Sequence, residues 1–427
     1  MNVHLQYGKD GVDVEIPTND VTVLRPQFVP GLADEAAAFC EAVRRPIGAA
    51  PLAELIDAED RVAIVIADGT RALPSDRLLP WIFDEIGHVP AEQITVIVGT
   101  GTHRPNTPEE LRDMVGEHVL QRVRVINHNA YDDETMREVR PAQGHQPALK
   151  FNRAYVEADK RILVGFIEPH FMAGFSGGYK AIFPGVANLA AIMHYHRAEA
   201  IGHPRSTWGI MEDNITQAQI RERGSALPVT FLVNVTLNHQ RQITGFYCGD
   251  VIEAHEAGCA VVKETAMVAC AQRYPVVITT NSGYPLDQNL YQTVKGMCAA
   301  TEIVEEGGLL IVAARCNDGF PEHGNFAKLL YQHDSAQAML DTIYAPGFHM
   351  LDQWQVQKFA QVLLQAKVAL FSELSAEQVA QAHIEPIEDL NEYIRRTVER
   401  LGPNVPIAVL PEGPMTIPYV QERIAVA

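Results

Sequence analysis

Three features of the sequence predict an α/β fold with two lobes and mainly parallel sheets. Short β-branched runs end in clusters of small and polar residues, stretches of helical length separate them, and a second series of the same kind begins near residue 272. In chain order the first strands are "RVAIVIA", "ITVIVG", "RVRVINHNA" and "RILVGFI". They are apolar throughout and do not alternate, as expected of parallel strands covered on both faces. Between them, "SDRLLPWIFDEIG" and "TPEELRDMVGEHV" carry helical spacing, and the second opens on a Thr-Pro-Glu-Glu cap and first turn. The second series runs "YPVVITT", "GGLLIVAA" and "KVALFS", with helices expected in "LDQNLYQTVKGMCAATEIV" and "FAKLLYQHDSAQAML". The division that follows is an N-terminal domain over 1–270 and a smaller C-terminal domain over 271–401, with the tail 402–427 and its strand "NVPIAVLPEG" assigned to the first. Ligands of such sheets sit beyond the carboxyl ends of the strands, so the site is expected in the cleft between the lobes.

Composition narrows the function. At 427 residues, 47% hydrophobic and 20% charged, the chain can bury a sizeable core. A formal charge of −19 repels a phosphate backbone, and no basic cluster with interleaved aromatics offsets it, so nucleic acid is not an expected partner. The start "MNVHLQYGKDGVDVEIP" lacks the pattern of a secretory signal, and no segment approaches the ~18 apolar residues of a membrane span. A cytoplasmic protein is expected, with no membrane partner. Six cysteines without a CxxC pair read as reduced core thiols.

The polar clusters after the strands hold the candidate chemistry. Asp68, Thr70 and Arg71 follow the first strand in "ADGTRALP", where the ordinary reading is a tight turn and the functional one a guanidinium placed to hold a carboxylate. His103 follows the next strand within "GTGTHRPNT", among small residues that admit a close approach to the backbone. The third loop, "EPHFMAGFSGGYKAIFPG", carries His170 and Lys180 among four glycines. It is no Walker loop, because Tyr179 precedes the lysine and Ala181 follows it. A lysine in partly apolar surroundings favours the neutral amine, which suits a covalent link to a cofactor; the alternative is a side chain that snorkels to solvent. His194 and His196 follow, two positions apart, so that at most one is a metal ligand. His103, His170 and one of these supply three histidines, enough for a transition-metal, zinc or acid/base site. In the second lobe, Gln288, Tyr291 or Gln292, and Lys295 form a polar helical stripe, either a solvated face or one lining the cleft.

Taken together, "DGTR", "GTGTHR", "EPHFMAGFSGGYKAIFPG", the following histidine, "YPLDQNLYQTVKG" and Trp354 in "DQWQ" resemble, in order and over nearly the whole chain, the nickel-pincer lactate racemase family. That resemblance implies an isomerase that inverts C2 of a 2-hydroxy acid by reversible hydride transfer through a 2-keto acid. The implied cofactor is nickel held by pyridinium-3,5-bisthiocarboxylic acid mononucleotide, attached to Lys180 and supplied by cofactor-synthesis enzymes. By the same resemblance His196 ligates nickel, His103 and His170 are the acid/base pair, and Asp68, Thr70, Ser176, Gly177 and Gly178 line the cofactor. Arg71, Gln292 and Lys295 contact the substrate carboxylate, with Tyr291 and Trp354 nearby. Two positions depart from the family pattern: Tyr195 stands where asparagine is common, which keeps His194 open as the ligand, and Tyr179 where arginine is common. The competing readings are a non-catalytic family member that binds a small acid, a zinc hydrolase built on the histidines, and a Schiff-base enzyme built on Lys180.

Overall fold

The computed structural model describes residues 1–320 and 325–421, and it divides into two compact units. One comprises Phe28–His196 and His203–Glu264; the other comprises Met1–Gln27, Arg197–Gly202 and Thr265–Ala427.

The first unit is built on a six-stranded sheet in the order Ile243–Gly249, Phe231–Leu237, Lys160–Phe166, Val62–Ala67, Ile94–Gly99, Arg124–Asn127. Every neighbouring pair is parallel except the Phe231–Leu237/Ile243–Gly249 hairpin. Alternation of side chains across a strand sends Val62, Ile64 and Ile66 into one hydrophobic cluster and Ala63 and Val65 into another. Helices complete both layers: Phe39, Val43, Leu78 and Ile82 on the first face, Ala191, Ile192, Ile220 and Val251 on the second. Each such side chain contributes about 1.5–3 kcal/mol on burial, which is why these strands carry no polar face. The expected helices form over Ser75–Glu85 and Pro108–Val115; the second has the reciprocal Thr107/Glu110 cap and stops at Gly116, whose φ of 83° lies outside the helical region.

Strand order reverses between Val62–Ala67 and Lys160–Phe166, because the chain moves outward on one side of the first strand and then on the other. Parallel pairing places the carboxyl ends of both strands, and of Ile94–Gly99, at one edge of the sheet. The loops carrying Asp68, His103 and Glu168–Lys180 therefore converge at a topological switch point, where α/β sheets bind ligands.

The second unit has six strands, all parallel, in the order Glu385–Ile387, Lys367–Phe371, Val304–Ala313, Tyr274–Thr280, Ile407–Leu410, Val21–Val23. The tail strand thus pairs with Tyr274–Thr280 and not with the first sheet, and residues 1–27 join it there. This corrects the expected placement of the tail, whose residues 422–427 lie outside the described residues. A four-residue apolar strand fits either sheet by its local pattern, and only its long-range ladder decides. Val409 and Ile407 pack with Val276, Ile278 and Ile311 in one core, which the hairpin residues Val3, Leu5 and Val14 cover. Among the described residues no helix is long and apolar enough to cross a membrane. The six cysteines are free, five of them buried.

Candidate active site

Asp68 is the hub of the switch point. The chain turns immediately after the Val62–Ala67 strand, with Arg71 N–H donating to the Asp68 carbonyl at 3.1 Å. Thr70 donates to Asp68 Oδ1 from its hydroxyl at 2.6 Å and from its backbone N–H at 3.2 Å. The other carboxylate oxygen, Oδ2, lies 2.6 Å from His103 Nδ1. Burial alone would raise the Asp68 carboxyl, but the His103 partner, Arg71 and the Thr70 hydroxyl outweigh it and hold the group far below the usual carboxylate range. An ionised Asp68 accepts, so Nδ1 of His103 carries a hydrogen and its neutral form keeps the lone pair on Nε2.

His170 is fixed in the opposite sense. It sits in a two-residue ladder, Pro169–His170 against Gly174–Phe175, and is 6% exposed. The tight turn directs the backbone N–H groups of Met172 and Ala173 at its Nδ1, at 3.3 and 3.1 Å. Nδ1 therefore accepts, and the hydrogen of the neutral ring resides on Nε2.

Lys180 rides on the short 3₁₀ turn Gly178–Ala181. Burial, and then the Arg71 guanidinium, push its ammonium down to about 8, against the opposing pull of Glu168 and Asp68. Arg71 Nε stands 3.6 Å from Glu168 Oε1, a carboxylate almost as buried as Asp68. Glu168 belongs to the quoted glycine-rich stretch but carried no sequence-level assignment; its place directly after a buried strand was the available signal.

His196 caps the helix Leu189–Tyr195, and its Nδ1–H donates to the Ile192 carbonyl at 3.0 Å, leaving the lone pair on Nε2. Burial pushes this imidazole down to about 3; the Ile192 bond opposes that, while Lys180 and His103 reinforce it. An imidazole whose Nδ1–H is held by a backbone carbonyl has the tautomer found in histidines that bind metals through Nε2. His194 differs, because its Nδ1 accepts from the buried Arg223 at 3.0 Å and its neutral hydrogen sits on Nε2. Tyr195 is buried and stacks edge-on with Phe183 and His196.

Among the described residues no group of three or more His, Cys, Asp or Glu side chains is arranged to hold a metal ion. The three histidines do not converge as the ligand set of a hydrolytic zinc centre, which takes three protein ligands. The residues before Lys180 also have roles within the fold. The Ser176 hydroxyl is spent inside the loop, donating to the Phe166 carbonyl and accepting from Glu168 N–H, both at 2.9 Å. Gly177 and Gly178 have φ of +83° and +54°, and a Cβ on either would strike Asn234 or the His255 ring, so a protein packing constraint already requires both glycines. Tyr179 turns into the hydrophobic layer, where Gly224 has no side chain to meet its ring.

Tyr291, Gln292, Lys295 and Trp354 belong to the other unit and form a group there. The helix Leu290–Thr301 starts one residue after its Asn289 cap, so Gln288 precedes it and is not part of the stripe. The stripe is no solvated face, since Tyr291, Gln292 and Thr293 are buried. Lys295 Nζ donates to Gln292 Oε1 at 2.5 Å, and Trp354 Nε1 donates to the Tyr291 hydroxyl at 2.8 Å.

A buried lysine with a weakened ammonium, beside a neutral imidazole and two imidazoles of fixed tautomer at a sheet switch point, marks a functional site. Comparison with known proteins defines which. Residues 7–209 match the lactate racemase N-terminal domain and residues 270–417 the lactate racemase C-terminal domain. The chain is 32% identical over 422 residues to a lactate racemase of Thermoanaerobacterium thermosaccharolyticum, covering 96% of this chain and 98% of that one. It is 34% identical over 371 residues to a lactate racemase of Lactiplantibacillus plantarum, covering 86% and 87%. The lactate racemase apoprotein structure from T. thermosaccharolyticum superposes with a TM-score of 0.87 at 30% identity, over 99% of this chain and all of that one. A Thermotoga maritima protein, at TM-score 0.72 and 15% identity, over 92% of this chain and 100% of that one, shares the fold. The chain belongs to the lactate racemase family, and it is an isomerase of the racemase type.

Proposed function

We propose that the chain is a cytoplasmic racemase or epimerase of a small 2-hydroxy acid, with a nickel pincer nucleotide attached to Lys180 and ligated by His196. The observation that carries this reading is the pairing of a lysine whose ammonium is lowered to about 8 with a neighbouring imidazole whose Nδ1–H is held by the Ile192 carbonyl. One protein nitrogen without a cluster of three ligands suits a metal that takes its remaining donors from an organic group, so the residues fit.

The chemistry explains why such a group is needed. The hydrogen on C2 is not acidic, and an adjacent carboxylate stabilises a carbanion poorly. When bound, the nickel pincer supplies a hydride acceptor, so that C2 can become planar as a 2-keto acid and be restored from either face. The chain's own residues handle the proton. His103 Nε2 accepts the 2-hydroxyl proton as the keto acid forms and returns it to the same oxygen when the alcohol is restored, while the Nε2–H of His170 donates a hydrogen bond to that oxygen. Asp68 keeps His103 in the required tautomer, as the buried carboxylate of a hydrolase triad does for its histidine. Arg71 is the substrate-side cation of this unit, and Tyr291, Gln292, Lys295 and Trp354 are the proposed substrate contacts of the other. Thr70, Ser176, Gly177 and Gly178 act by shaping the two cofactor-side turns. Enzymes of cofactor synthesis are the required suppliers.

Peptide mass spectrometry with nickel quantitation, on protein co-produced with those enzymes, tests the reading. A nickel-containing adduct on Lys180 supports it, followed by chiral analysis of 2-hydroxy acids. An unmodified lysine, while a lactate racemase control loads alongside, overturns it.

A further inference from the structure

The turn that carries Lys180 is held by two residues that the proposed chemistry leaves unused. Asn234 interrupts the apolar strand Phe231–Leu237, "FLVNVTL", and is 1% exposed. It pairs in register with Gly165 of the neighbouring strand, where a Cβ would lie 3.0 Å from Asn234 Nδ2. The glycine gives the asparagine side chain room to cross to the loop. There its Oδ1 accepts from Gly178 N–H at 2.9 Å, two residues before Lys180. His255, on the helix Val251–Ala266 and 3% exposed, reaches the same turn from another side. Its Nε2–H donates to the Ser176 carbonyl at 2.8 Å, and its ring fills the space a Cβ on Gly178 would need. Burial pushes this imidazole down to about 4, so the donor stays neutral at ordinary pH. Gly177 in turn accepts from Lys180 N–H at 3.1 Å. Residues 176 to 178 are thus pinned from a strand and from a helix, with Gly177 and Gly178 at positive φ.

We propose that Asn234 and His255 are positioning residues that clamp the Ser176–Gly178 turn, fix the path of Lys180, and so set the rate at which its amine condenses with a thiocarboxylic acid group of the cofactor, an N–C bond forming as the C–O bond breaks and the oxygen leaves as water, with no change of oxidation state. The inference rests on the reading of Lys180 as the anchor. It demands more of Asn234 than packing, since the needed feature is an oxygen facing the Gly178 N–H.

The test uses the full chain and two readouts other than turnover: hydrogen exchange of the 176–183 segment in unloaded protein, and the fraction of Lys180 carrying the adduct, by peptide mass, over time of co-production. Asn234→Ala is expected to speed exchange in that segment and slow adduct formation by about tenfold or more. Asn234→Asp, which keeps an oxygen acceptor, is expected to restore most of both, which a general loss of stability would not allow. Should Asn234→Ala fail to fold, His255→Ala and His255→Gln form the second pair, the glutamine keeping an N–H donor. Loading of Asn234→Ala and His255→Ala at the wild-type rate overturns this inference alone. So does a slowing that the conservative variants fail to relieve. Wild-type protein that never forms the adduct overturns the anchor reading, and the clamp's role falls with it.

Discussion

The loops after the Val62–Ala67 and Lys160–Phe166 strands end at the same sheet edge but are held by different forces. The first is wired by charge: Asp68 joins Thr70 and His103, and Arg71 reaches toward Glu168. The second is wired by backbone: amides fix His170, and Asn234 and His255 fix the turn before Lys180. A charged network gives a histidine a carboxylate partner that stays ionised, whereas backbone amides orient a ring without adding charge beside it. Two imidazoles of one chemical type thereby acquire opposite tautomers.

The comparison breaks most completely at Lys180. Lys180→Ala is expected to abolish adduct formation and racemisation, read by intact mass and chiral chromatography. His103→Gln and His170→Gln should each keep the adduct and lose about 10²–10⁴-fold in turnover. Equal losses would mean that the two wirings serve one function equally well.

Asp68→Asn sharpens the contrast, because it removes the charge and keeps the shape. An amide in that place lets His103 adopt the other tautomer, and a fall of about 10–100-fold is expected with the adduct retained. Ring nitrogen shifts of ¹⁵N-labelled histidine would register the change directly. On the backbone-wired side, Gly178→Ala forces a side chain into a φ of +54° and against His255, and should cost about 1–3 kcal/mol in denaturant unfolding.

The smallest expected effect is one of pH. In the folded apoprotein Lys180 loses its proton near 8, in the unfolded chain near 10.5, so between these values the unfolded chain binds more protons. The burden of burying this ammonium is therefore full below about 8 and relieved as pH rises toward 10.5. Any advantage of Lys180→Met in thermal midpoint at pH 7 should shrink by pH 10. A gap that widened instead would contradict a depressed lysine.

Much of this site was legible because its residue types are costly to place without reason. Asp68, Arg71, His103, His170 and Lys180 each follow a buried apolar strand, and parallel strands deliver such loops to one edge. Glu168 escaped notice because nothing local distinguishes a buried carboxylate from one at the surface. Asn234 and His255 lie 54 and 75 positions beyond Lys180, and their roles depend on which strand and helix pack beneath the loop. The glycines of the Lys180 turn read as room for a ligand, whereas their left-handed angles and the side chains against them supply a requirement of the fold itself.

By itself the sequence determined the α/β class, the strands, and the histidines and lysine that follow them, since hydrophobic period and residue chemistry are local properties of the chain. Only the tertiary structure decided which sheet takes the tail strand, which nitrogen of each histidine bears the hydrogen, and what holds Lys180 in place. The tail strand, the His103 tautomer and the Lys180 turn depend on partners tens to hundreds of residues away, while His170 and His196 take theirs from backbone groups two to four positions away; either way a hydrogen bond exists only when folding has brought both of its ends together.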